Sequence, residues 1–111
     1  MRRILRGVTH LAADGFLSLY DRQDRPSLAD DLRRVGRRGI RIALIAHGSD
    51  IRDPDAHMAR HPFSFYASAP AEWVDRLRQR SRHNRLLAEI VGAPLFVSTP
   101  DLLLDAPYAT W

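Results

Sequence analysis

The stretch His47-Gly48-Ser49-Asp50-Ile51-Arg52-Asp53-Pro54 gathers an imidazole, a hydroxyl, carboxylates and a guanidinium around one glycine. An imidazole can move a proton at neutral pH, and a guanidinium can grip an oxyanion. Gly48 lets a backbone approach a ligand closely. A second polar group, Ser98-Thr99-Pro100-Asp101, follows another apolar run. The competing readings are structural. Asp50 or Asp53 can hydrogen-bond its own backbone in a turn, Arg52 can pair with Asp50 or Asp53, and Ser98 or Thr99 can cap the next helical turn. Asp53, Asp55, His57 and His61 have an alternating and then four-residue spacing that a metal could use; the competing reading is a polar surface loop, and no metal is expected. Ser49 lacks a Gly-x-Ser-x-Gly elbow, and neither Gly-x-Gly-x-x-Gly nor Gly-Lys-Ser/Thr occurs.

The elements around these groups read as α/β. Ile40–Ala46 is β-branched and almost wholly apolar, the pattern of a parallel strand buried on both faces. Pro94–Ser98 reads as a second, shorter strand, adjacent and parallel to the first. Pro26-Ser27 opens a helix over about 27–38, with Ser27 as N-cap, Asp30 and Asp31 in the first turn, Leu28, Leu32 and Val35 as its apolar stripe, and Gly39 as a left-handed cap. A long helix spans about 71–91, its polar middle, Arg78–Arg85, lying across the surface. Pro70 suits its first turn, Ser68 and Glu72 support its start, and Gly92 ends it.

Residues 51–70 read as loop-rich, since Pro54, Pro62 and Pro70 exclude a long helix. Thr99-Pro100-Asp101 starts a short helical turn through Leu104. Val8–Leu11 fits either a short strand or, from the spacing of Leu5, Val8 and Leu11, a helical turn. Phe16, Leu17, Leu19 and Tyr20 form an apolar cluster, and Tyr108–Trp111 reads as the beginning of a further strand. The expected architecture is a partial doubly wound (Rossmann-like) parallel sheet with helices on both faces, within a single incomplete domain. In such sheets ligands bind beyond the carboxyl ends of the strands, where both polar loops fall.

Composition bounds the function. The 111 residues fit one small domain, and 45% hydrophobic with 27% charged residues is a globular balance. The absence of cysteine excludes disulfide, thiol and iron–sulfur chemistry. The longest apolar run, Ile42–Ala46, is far short of the roughly 20 residues that span a bilayer. The start, Met1–Arg6, lacks the apolar stretch of a signal peptide, so a cytoplasmic protein is expected. All 17 basic residues are arginine, against 13 acids. The two signs alternate, without interleaved aromatics or a motif, so nucleic acid is not the expected partner.

The segment Gly39–Pro54, with its strand ending in His-Gly-Ser-Asp-Ile-Arg, resembles the N-terminal domain of glycosyltransferases built from two facing Rossmann-like domains, the GT-B fold. It is most similar to the retaining, family-4-like (group 1) members. Phe96–Leu104 and Ala106–Trp111 are similar to the same subset, and the resemblance covers about Leu28 to Trp111. It implies retaining transfer from a nucleotide-sugar donor to an acceptor, without a required metal or other cofactor. His47 would be the catalytic group at the cleft, with Gly48, Ser49, Asp50, Arg52, Ser98 and Thr99 contacting substrate or positioning His47, and the Gly48 amide facing an oxyanion. Peripheral membrane association belongs to the same expectation. The family's opening strand and glycine-rich loop are not recognisable here, nor is its nucleotide-sugar domain. The expectation is therefore a transferase fragment, inactive alone. The rival readings are a non-catalytic α/β partner-binding domain and, third, a small basic nucleic-acid-binding protein.

Overall fold

The computed structural model describes residues 5–16 and 28–111. Its elements are strand β1 (His10–Asp14), helix α1 (Leu28–Gly36), strand β2 (Arg41–Ala46), helices α2 (Pro54–Arg60), α3 (Phe65–Ser68) and α4 (Ala71–Val91), strand β3 (Leu95–Val97), and a 3-10 helix, Pro100–Leu104. The proposed Ser27 cap and most of the apolar cluster at Phe16–Tyr20 lie outside the described residues. The result is a mixed α/β unit on a three-stranded parallel sheet of order β1-β2-β3.

The ambiguous opening segment is a strand. Residues His10 to Asp14 alternate exposed and more buried positions, a period of two that a helix cannot use. β1 pairs in parallel with β2 and leads into Gly15 at φ +71°. A strand followed by a glycine turn is thus present where the sequence showed no such opening. β2 pairs in parallel with β3 as expected. Thr110 makes one parallel bridge to Phe96, the beginning of strand geometry expected near the C-terminus.

Cross-strand register defines two faces. The row Ala13–Leu44–Leu95 is buried. The next row, Asp14–Ile45–Phe96, points the other way, with Phe96 42% exposed. Leu28 and Leu32 of α1 and Leu87 and Ala88 of α4 join the buried row in one core. The strand order follows the chain without reversing. Right-handed crossovers then put successive helices on one face. The expected second helical layer is not found among the described residues. The opposite side of β2 is accordingly only half-buried at Ala43 and Ile45, not sealed as its apolar run suggested.

Two features correct the loop-rich reading of 51–70. Pro54 occupies the first turn of α2, where its missing N–H costs nothing, and Asp53 caps that helix through Asp55 N and Ala56 N. Ser64 likewise caps α3 through Tyr66 N. Tyr66, Val74 and Leu77 form a second small core with Met58 and Ala69. Ser68 closes α3, and Pro70, not Ser68, is the N-cap of α4. Across its 21 residues, about 31 Å at 1.5 Å per residue, α4 joins the two cores. Gly92, at φ +65°, ends it in the left-handed region.

Candidate functional site

His47 directly follows Ala46, the last residue of the central strand. Asp50 folds back to build the turn: its carboxylate accepts from His47 N at 3.0 and 3.1 Å and from Gly48 N at 2.8 Å. Asp50 is 5% exposed, so those two N–H groups replace the water it gave up. The Gly48 amide is therefore engaged by Asp50 and not turned toward a ligand oxyanion. Asp50 positions the His47 backbone, one of the two roles the sequence left open for it.

The turn is anchored from the middle of α4. Asn84 Nδ2 donates to the Asp50 carbonyl at 2.8 Å, and an Arg85 guanidinium nitrogen donates to the Ile51 carbonyl at 2.7 Å. Ser81 and Asn84 are buried. The polar middle of α4 therefore faces inward on one side, contrary to the surface-lying expectation, because the loop after β2 presents carbonyls that need donors.

Arg52 pairs with neither Asp50 nor Asp53. It reaches Asp101 across the carboxyl edge, with Nη2 donating to Oδ2 at 2.6 Å. The same guanidinium lies 3.4 Å from where a Cβ on Gly48 would sit, so the glycine leaves room for Arg52. The Thr99 hydroxyl and Arg52 hold the Asp101 carboxyl below the usual carboxylate range. Ser98 Oγ donates to the His47 carbonyl at 3.2 Å. Thr99 is the N-cap residue of the 3-10 helix but makes no side-chain cap bond. Arg52 with Asp101, and Ser98, thus join the two polar loops, while Thr99 acts on Asp101 within its own.

The structure adds a residue that the sequence did not indicate. Asp14, at the carboxyl end of β1, hydrogen-bonds His47 Nε2, and both side chains are more than half exposed. An ionised carboxylate only accepts, so Nε2 carries the proton in this bond. Asp14 and His47 are 33 positions apart, and only the β1–β2 pairing brings them together.

Beside this pair lies a cleft of about 360 Å³ lined by Gly15, His47, Gly48, Ser49, Asp50 and Arg80. A larger, mostly apolar groove of about 760 Å³ opens at the opposite end of the sheet, along His10, Arg41, Ala43 and Pro94. His47, Gly48, Ser49 and Asp50 meet at the smaller cleft, which defines the site, whereas Arg52, Ser98 and Thr99 are not among its lining residues. The groups with metal-like spacing are used elsewhere. Asp53 caps α2, Asp55 pairs with Arg78, and His57 Nδ1 bonds Ser64 Oγ at 2.7 Å. Among the described residues, no three His, Cys, Asp or Glu side chains come together as a metal set, and no helix is long and apolar enough to cross a membrane.

No protein-family model, curated protein or solved structure matches the chain.

Proposed function

We propose that this unit is the acceptor-side α/β domain of a retaining glycosyltransferase, taking a sugar from a nucleotide-activated donor to an acceptor. The observation that carries the reading is the Asp14–His47 pair at the carboxyl edge of adjacent parallel strands, beside a cleft lined by two glycines and a serine. In this reading His47 contacts the donor sugar or its phosphate. Ser49 contacts substrate, Asp50 fixes the His47 backbone, Arg52 and Ser98 hold the two loops together, and Thr99 contacts substrate from the second loop. A complete doubly wound sheet would add helices on the open face. A second α/β domain would close over the cleft, exclude water and bring donor to acceptor. Peripheral association with a membrane belongs to the same proposal.

The full reading frame that contains this unit tests the proposal. Offered a panel of nucleotide sugars, its product should release nucleoside diphosphate, and the unit alone should not. His47→Ala should lower that turnover by about 100-fold or more, the usual scale for a positioned proton-handling group, while the melting temperature changes little. Near-normal turnover in a folded His47→Ala enzyme, or a frame without a second α/β domain, overturns the reading.

One observation favours a second reading, a non-catalytic partner-binding domain. The open face exposes Phe96 beside half-buried Ile45, a surface that a protein partner would cover. That reading expects binding without nucleotide-sugar turnover, even from the full frame.

A further inference from the structure

His57, on α2, is tied to the start of α3. Its Nδ1 lies 2.7 Å from Ser64 Oγ, and the same oxygen accepts from Tyr66 N at 3.3 Å to cap α3. Ser64 is 4% exposed, so its hydroxyl proton needs an acceptor inside the protein. The Tyr66 N–H occupies one lone pair of that oxygen, and the hydroxyl donates to Nδ1 of a neutral imidazole. A proton added at Nδ1 turns the acceptor into a donor and strands the Ser64 hydroxyl proton in a buried place. The hydroxyl regains a partner by turning out to water, which takes it off Tyr66 N. Burial of the imidazole also opposes a positive charge, and so do the groups that face it. The His61 ring centre stands 4.5 Å from that of His57. Arg52 and Arg60 add positive charge, with Asp101 opposing. From α3 the facing groups are the Phe65 and Tyr66 rings, each centred 5.4 Å away. The α4 cation that reaches α2, Arg78, is held by Asp55.

We propose that the α2–α3 corner is a pH-operated clasp on the candidate site: neutral His57 holds α3 through Ser64, and protonated His57 releases α3, moves Tyr66 and loosens Arg52. Tyr66 carries the motion. It is 1% exposed and stands edge-on to the His57 ring. Its hydroxyl and Arg52 Nε are both buried and have no other hydrogen-bond partner. Burial raises the Tyr66 hydroxyl above its ordinary value, and Arg52, by its charge and as a hydrogen-bond partner, opposes that rise. Another nitrogen of the same guanidinium donates to Asp101, the link to the second polar loop. The clasp is closed above the ordinary imidazole value of 6.5 and opens in more acidic solution. It concerns how the loops are held and not what they bind, so it does not depend on the transferase reading.

Amide hydrogen exchange and side-chain NMR signals, followed on the chain from pH 7.5 down to 4.5, test the clasp. As His57 takes up its proton, the protection factor of the Tyr66 amide should fall about 10-fold, the scale of one hydrogen bond, with the same midpoint. The Arg52 Nε–H signal should broaden over the same range, while Leu87 and Ala88, in the main core, keep their protection. In His57→Gln, which cannot titrate, Tyr66 protection should no longer depend on pH. His61→Gln removes one facing charge without touching the Ser64 bond, so the His57 and Tyr66 midpoints should move up together. His61 is exposed, so this variant keeps the test available where His57→Gln fails to fold. A Tyr66 amide that stays protected while His57 titrates overturns the clasp, as does a wild-type fall in His57→Gln. Simultaneous loss at Leu87 and Ala88 means global acid unfolding and overturns it too. An Arg52 signal that stays sharp while Tyr66 opens overturns its reach to the site.

Discussion

Asn84 donates to the backbone carbonyl of Asp50 at 2.8 Å, from a side chain only 5% exposed. The two residues lie 34 positions apart, one in the middle of the long helix and the other in the turn after the central strand. Through this bond α4 sets where the His47 turn stands, and the Asp50 carboxylate then sets the His47 backbone. The helix is therefore both a cover for the sheet and a template for the loop at its carboxyl edge.

Removing that donor leaves a buried carbonyl without a partner. Asn84→Ala should destabilise the fold by about 1–3 kcal/mol, the cost of an unsatisfied buried polar group. The urea midpoint should fall with an unchanged slope. The amides of His47 and Gly48 should also lose hydrogen-exchange protection, since their acceptor, Asp50, is no longer anchored. Unchanged protection at those two amides would show that the Asp50 turn stands without the helix.

What could be read in advance follows a physical division. β2, β3 and α4 were legible because their apolar patterns and glycine stops are local: Ile40–Ala46 has no polar interruption beyond Arg41, and Gly92 can adopt the φ of +65° that ends α4. β1 was legible only as one of two alternatives and with displaced ends, because His10-Leu11-Ala12-Ala13-Asp14 is short, alanine-rich and buried on one side only. α2 is hidden by its proline, a residue that breaks a helix interior, whereas Pro54 stands where a helix tolerates one. The His47 loop was legible from its composition. Asp14 and Arg80 were not, because only strand pairing brings Asp14 to His47 and only helix packing brings Arg80 to the cleft. Arg52 shows the same limit: its carboxylate partner, Asp101, lies 49 positions away and not among its sequence neighbours.

Acid sensitivity should be traceable to His57. Burial, followed by the nearby positive charges of His61, Arg52 and Arg60, pushes its imidazole below the ordinary value of 6.5, with Asp101 opposing. The folded protein therefore resists protonating His57 more than the unfolded chain does. Above pH 6.5 both states hold it neutral and the full stability is present. As the pH falls below 6.5 the unfolded chain takes up a proton first, and stability declines until the pH passes the lowered folded value. Urea midpoints measured from pH 7.5 down to 4.5 should fall in wild type, and the fall should be smaller in His57→Gln, which cannot titrate. A His57→Gln profile parallel to wild type would assign the acid loss to other groups.

Asp14 should matter to the chemistry more than to the fold. Both members of the Asp14–His47 pair are more than half exposed, and an exposed ion pair contributes about 0–1 kcal/mol. Asp14→Ala should therefore shift the melting temperature little. Its effect should appear at the imidazole, which loses the carboxylate that fixes its ring and keeps the proton on Nε2. In the full reading frame, turnover should fall on the order of 10-fold, less than for His47→Ala, because the ring remains but is misplaced for part of the time. Asp14→Asn retains an oxygen that can accept from Nε2–H, so it should recover part of that loss. Combining Asp14→Ala with His47→Ala should cost no more turnover than His47→Ala alone, since Asp14 acts only through the ring it holds. A strictly additive double variant would mean that Asp14 touches the substrate independently. A large drop in melting temperature with turnover intact would mean that the pair serves to join β1 to β2.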